Sequence, residues 1–146
     1  MQERLYRNVP EVDTLDTFRQ DIVYLAAPYT LNGTSSEAEQ ELRVEQITRV
    51  ANTLMQMGMN VFSPVTHSHA IQQQGSLTHL ATKDWLIKDL EFLSFSAGMF
   101  VLMLPDWEKS IGVKREIEYA RTHKIPITFI YPDKHIMTGE PDEYEA

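Results

Sequence analysis

Met99-Phe-Val-Leu-Met-Leu104 followed directly by Pro105-Asp-Trp-Glu-Lys-Ser-Ile-Gly-Val-Lys-Arg-Glu-Ile-Glu-Tyr-Ala120 is the most informative passage of the chain. Six apolar residues in a row read as a buried strand, and the residues after them read as a loop and then a helix from about Ser110 to His123. In open α/β sheets such strand–loop–helix passages carry the ligands. In a helix starting near Ser110, Val113, Glu116, Ile117 and Ala120 fall at i, i+3, i+4 and i+7, the stripe that faces a core. Glu116 therefore occupies a position where an aliphatic residue is expected. Burying an unpaired charge is costly, so the position either lines a cavity or supplies a partner. Glu116 is the candidate active-site carboxylate; the plainer alternative is a helix-edge carboxylate paired in solvent with Lys114 or Arg121.

The same alternation recurs on both sides of this passage. Ile22-Val-Tyr-Leu-Ala-Ala27, ended by Pro28, reads as a first strand, and Tyr29 to Ser36 has the composition of a loop. Arg43, Ile47, Val50, Ala51 and Leu54 form one stripe of a helix over about Ser36 to Met57, with Gly58 as its stop. Asn60 to Ser63, closed by Pro64, is a short second strand. Val65 to Thr78 reads as a long connection rich in His, Gln and Ser, a length more often functional than idle. A helix over about Thr82 to Ser96 turns Trp85, Leu86, Asp89 and Leu93 inward, which puts a second carboxylate on an apolar face; Trp85 is assigned to the core. Ile127 to Tyr131 is the fourth strand. Crossover-length connections between strands predict a flavodoxin- or Rossmann-like three-layer αβα domain with a mostly parallel sheet of four to five strands, order 2-1-3-4. The ligand crevice is then expected between strands 1 and 3, at their carboxyl ends. The domain is placed at residues 21–135, after an N-terminal extension over 1–20 and before an acidic tail over 136–146.

Composition narrows the partners. A chain of 146 residues with 42% hydrophobic and 23% charged content is an ordinary globular domain. A net charge of −8 argues against nonspecific binding to a nucleic-acid polymer, though not against a small anion held by local donors. The absence of cysteine rules out disulfides and thiolate metal sites. Neither a signal-peptide core nor a membrane-length apolar run is present, so a cytoplasmic protein without membrane partners is expected.

Two carboxylates flanking a glycosidic bond are the usual equipment for cleaving it, and Glu116 and Asp89 suit that division of labour. Ser110 and the backbone near Gly112 stand at a helix start, where a phosphate or ribose oxygen would meet the positive end of the dipole, although Ser110 also suits a plain N-cap. Arg43 either approaches an anion or lies over the core edge. Pro28 sits after strand 1 at the expected crevice. Tyr24, Tyr29 and Trp107 offer a hydroxyl or a stacking face for a base. His67 and His69 suit pocket lining or loop packing better than a metal, since a third ligand would have to come from His79 or elsewhere. No metal or other cofactor is expected. Met55, Met57 and Met59, with Phe92 and Phe95, are weighed between core packing and subunit contact.

The run Tyr24-Leu-Ala-Ala-Pro-Tyr-Thr30, then Trp85 with Asp89, then Ser110-x-Gly-x-x-x-Glu116-x-x-x-Ala120 resembles the nucleoside 2-deoxyribosyltransferase-like superfamily over about Asp21 to Tyr131. That group includes deoxyribosyltransferases and nucleoside monophosphate N-glycosidases. The resemblance implies that Glu116 is a nucleophile toward C1′, that Asp89 positions the sugar or protonates the base, and that Tyr24 orients the nucleophile. Deoxyribosyltransferases carry a carboxylate where this chain has Ser110, and a serine there is similar to the monophosphate hydrolases, in which it helps bind the 5′-phosphate. Those hydrolases have a Gly-rich loop after strand 1, where this chain has Pro28-Tyr29-Thr30, and the Pro64 to His69 segment resembles a less characterised branch. The implied function is cleavage of the N-glycosidic bond of a nucleoside 5′-monophosphate or deoxynucleoside, by hydrolysis or transfer, in a homo-oligomer whose pocket a neighbouring subunit completes. The alternatives are a non-catalytic nucleotide-binding or sensing domain and a glycosidase of NAD-like nucleotides.

Overall fold

Successive residues of a strand point to opposite faces, and in the first strand both sets are apolar: Tyr24 and Ala26 pack with one cluster, Leu25 and Ala27 with another. A strand buried on both sides needs a layer on each side. The computed structural model describes residues 22–75 and 82–132 and has that arrangement. In chain order its elements are β1 (Ile22–Ala26), α1 (Glu37–Gln56), β2 (Asn60–Phe62), α2 (Pro64–Gln74), α3 (Thr82–Ser94), β3 (Gly98–Leu102), a 3-10 turn (Trp107–Lys109), α4 (Ile111–Thr122) and β4 (Ile127–Ile130). The extension, the acidic tail and His79 lie outside the described residues.

All three strand pairs are parallel and the order is β2-β1-β3-β4, with Tyr24 opposite Phe62 on one side and Met99 on the other. On one face Leu25, Ala27, Leu102 and Ile130 pack against Ile47, Val50, Ala51 and Leu54 of α1 and Val65 of α2. On the opposite face Tyr24, Ala26, Met99, Val101 and Phe129 pack against Leu93 of α3 and Val113, Ile117 and Ala120 of α4. The three-layer α/β fold and its strand order are as the alternation of apolar runs requires.

Local chemistry sets the helix ends. Ser36 begins α1 with a capping box: its hydroxyl accepts from Glu39 N while the Glu39 carboxylate accepts from Ser36 N. Gly58, at φ 96°, lets Met59 N reach back to Leu54 O and close the helix. Ser110 caps α4 by accepting from Val113 N at 3.2 Å.

One element departs from the sequence reading. The segment after Pro64, expected as a loop, is the 11-residue helix α2. Pro64 at the first helical position is compatible with helix entry, because its missing N–H would have no partner there. The apolar periodicity that announces other helices is lacking since only Pro64 and Val65 are buried. Its docking against α1, where Thr66 Oγ1 meets Thr48 Oγ1 at 2.8 Å, is a tertiary contact. Several residues weighed for the core are on the surface instead: Met55, Met57, Phe92 and Phe95 are exposed, Phe95 at 76%, whereas Met59 packs against the α1 cluster.

Candidate active site

The loop after β1, one side of α2, the inner face of α3 and the start of α4 line a cavity of about 590 Å³. It lies past the carboxyl end of β1, the strand at which the order of the sheet reverses. Its walls mix apolar groups (Val65, Trp85, Leu86, Val113) with polar ones, and Asp89, Ser110, Gly112 and Glu116 converge on it from two helices. This volume and mixture suit a small organic molecule.

Glu116 is on the predicted stripe: Val113, Glu116, Ile117 and Ala120 are the buried residues of α4. Only 6% of Glu116 is exposed, and its carboxylate accepts a hydrogen bond from the Tyr24 hydroxyl. Tyr24 reaches it because residue 24 of β1 points toward the α3–α4 layer, with its ring against Phe62 at 6.2 Å between centroids. Burial is the largest influence on Glu116 and pushes its carboxyl from 4.5 up to about 8; the Tyr24 bond opposes this and the nearby Asp89 charge adds to it. Burial likewise raises Asp89, from 3.8 to about 7. The Tyr24 hydroxyl is held well above its usual range by burial, then by the Glu116 and Asp89 charges, so it remains a donor. Two carboxyl groups and a phenol thus share one desolvated spot. Near neutrality the two acids hold protons that exposed acids would have lost.

The remaining candidates divide. Ser110, 6% exposed, lines the cavity while capping α4. Gly112 lines it too; a Cβ there would meet only Ser110 Oγ, at 3.8 Å. Tyr29 is a wall residue whose hydroxyl pairs with His69 Nδ1 at 2.7 Å, so His69 acts behind Tyr29 and is not itself part of the wall. Trp85, assigned to the core from sequence, is half-buried and faces the cavity beside Asp89.

Arg43, Trp107, Pro28 and His67, like His69, are outside the cavity lining. Arg43 donates from Nη1 to Tyr29 O at 2.6 Å and to Ser35 Oγ at 2.5 Å, which ties down the β1–α1 loop, and the side chain that was a candidate for an anion is not on the cavity wall. Trp107 is buried with its ring tilted on Phe129 at 5.6 Å, because the 3-10 turn folds it back into the core, so it offers no stacking face to a base. Pro28 is buried behind the loop rather than on the wall. His67 is exposed and leans on the Phe62–Phe92 stack, at 5.4 and 6.0 Å between ring centroids. Among the described residues no group of three or more His, Asp or Glu is placed to hold a metal ion. No described helix is long and apolar enough to cross a membrane.

The sequence reading missed several wall residues: Asn32 in the β1–α1 loop, Ser68 and Gln72 on α2, Lys83 on α3 and Arg115 on α4. Pro64, Ser68 and Gln72 are spaced i, i+4, i+8, a one-sided pattern recognisable only once the segment is known to be helical. Asn32-Gly33 did carry a signal, since that dipeptide favours left-handed backbone.

Over residues 21–132 the chain matches the model of a protein family described as "Domain of unknown function (DUF1937)". A search of curated proteins finds no match to it.

Proposed function

The chain belongs to the DUF1937 family, a description that names no activity, and from the geometry of the cavity we propose that it is an enzyme cleaving the N-glycosidic bond of a nucleoside 5′-monophosphate or deoxynucleoside. The observation that carries this reading is the buried Glu116 carboxylate, held by the Tyr24 hydroxyl and electrostatically coupled to Asp89 across one small-molecule cavity. The resemblance to nucleoside 2-deoxyribosyltransferase-like proteins supports it, since it assigns roles to the same three residues.

In the proposed reaction ionised Glu116 attacks C1′. The C1′–N bond breaks, its electron pair goes to the base nitrogen, and the proton held by Asp89 neutralises the departing base. Asp89 is then a carboxylate. It takes a proton from an incoming water whose oxygen attacks C1′, and Glu116 leaves with the electrons of its ester bond. A second base in place of water makes the same cycle a transfer. The Tyr24 hydrogen bond favours the charged form of Glu116, which partly offsets its burial at the moment the nucleophile is needed. Ser110 and the backbone at Gly112 stand where a 5′ oxygen or phosphate would dock, and Trp85 provides an aromatic wall.

The test is a panel of nucleosides and 5′-monophosphates, with NAD included, scored for free base by chromatography. One member should release base, and Glu116→Ala or Glu116→Gln should lower that turnover by about 10⁴-fold or more. Undiminished turnover in either variant would sink the mechanism. Intact recovery of a tightly bound nucleotide would instead favour a sensing domain.

A further inference from the structure

Asn32 makes two hydrogen bonds that reach 77 and 79 residues along the chain. Its Nδ2 donates to Lys109 O at 2.9 Å and its Oδ1 accepts from Ile111 N at 3.0 Å. These partners flank Ser110, so a single carboxamide spans the residue that both caps α4 and lines the cavity. The amide orientation is dictated by the partners, since a carbonyl only accepts and an N–H only donates. The backbone that presents Asn32 is unusual: Leu31, Asn32 and Gly33 have φ of 48°, 63° and 82° in succession. Glycine and asparagine tolerate the left-handed region, but a leucine there is strained and persists only where its surroundings hold it. The Arg43 bonds to Tyr29 O and Ser35 Oγ hold the loop on either side of this turn.

We propose that Asn32 is a positioning residue for the cavity, a clasp that joins the β1–α1 loop to the start of α4 and so fixes the Ser110 hydroxyl and the first turn of α4 in their orientation toward the substrate. The assignment to substrate orientation rests on the glycosidic-bond reading; the clasp itself does not. Ser110 is left with few alternatives, because both peptide groups around it are bonded to one rigid planar group. Loss of the clasp frees Ser110 and the N-terminal turn without touching Glu116, Asp89 or Tyr24.

Asn32→Gly isolates the effect, because glycine takes the φ of 63° without strain and removes both bonds. Asn32→Asp keeps the acceptor for Ile111 N and loses the donor to Lys109 O. Three readouts are taken on the full chain: urea unfolding, amide hydrogen exchange at Ile111 and Gly112, and kcat and KM on whichever panel substrate the wild type cleaves. The expected result for Asn32→Gly is a folded protein with exchange at Ile111 faster by about tenfold or more. Its kcat/KM should fall roughly 10- to 100-fold, mainly through KM, with the pH–rate profile unmoved. Asn32→Asp should fall between Asn32→Gly and the wild type. Unchanged exchange at Ile111 overturns the proposal, as does faster exchange with kcat/KM equal to wild type, or a loss that comes with a shifted pH profile. If the wild type cleaves nothing in the panel, the reaction fails on that result, and exchange at Ile111 alone decides the clasp.

Discussion

Replacing Glu116 by Gln should change how stability depends on pH more than it changes stability itself. The wild-type carboxyl titrates near 4.5 when unfolded and near 8 when folded, chiefly because it is buried. Below pH 4.5 it is protonated in both states. Between 4.5 and 8 the unfolded chain releases a proton that the folded protein keeps, so the folded state binds more protons and stability falls as pH rises. Each pH unit in that window costs about 1.4 kcal/mol, so the span of about 3.5 units amounts to roughly 5 kcal/mol. Asp89, raised from 3.8 to about 7, adds a loss of the same sign over its own window. Glutamine keeps an oxygen that can accept from Tyr24 and cannot ionise. Relative to wild type, the variant should therefore gain roughly 4 kcal/mol between pH 5 and pH 8, a large fraction of what holds an ordinary domain together. The assay is urea unfolding by circular dichroism for both proteins at the two pH values, with the slopes against urea checked for equality. Exposed acids and histidines contribute equally to both proteins and cancel in the comparison. Parallel pH profiles, within about 1 kcal/mol, would refute the claim that the folded environment holds a proton on Glu116.

Turnover should show the same pair of acids. With Glu116 required ionised and Asp89 required protonated, kcat/KM should be bell-shaped with its maximum between about pH 7 and pH 8. Tyr24→Phe removes the bond that lowers Glu116, the higher of the two titrations, so the falling limb should move to higher pH and the maximum should drop; a falling limb and maximum that stay in place would show that Tyr24 does not tune Glu116. Trp107→Ala should cost about 3–5 kcal/mol in urea unfolding as a core truncation. A Trp107 variant that instead lost substrate affinity at unchanged stability would restore the base-stacking role that the position of the ring denies it.

Much of the site was legible because misplaced polar groups are conspicuous against an apolar period. Glu116 stood out on the α4 stripe and is one of two buried polar or charged side chains among the described residues, the other being Ser110. Asp89 was found by the same argument on α3. Tyr24 was harder to read, since a tyrosine in a buried strand is ordinary until the partner of its hydroxyl is known. Arg43 and Trp107 show the converse: their residue types suggested ligand contact, but Arg43 bonds to the β1–α1 loop away from the cavity wall and Trp107 packs on Phe129. Residue type states what a side chain is able to do. Which partner it meets depends on which elements pass nearby.

The layer architecture is written in the chain alone. Doubly apolar strands separated by amphipathic helices have no stable arrangement other than a parallel sheet covered on both faces, and the crossover rules leave few strand orders. The inward placement of two carboxylates on helix faces is written there too. Tertiary packing was needed to bring Tyr24 from β1 to Glu116, 92 residues away, to set Asn32 across Ser110, and to make the polar segment after Pro64 a helix and a cavity wall. The difference arises because periodicity reports which face of an element is buried, a local property of the chain. The pairing of particular groups, and the burial that drives two carboxyl groups to hold protons near pH 7, exist only once distant elements close around the same space.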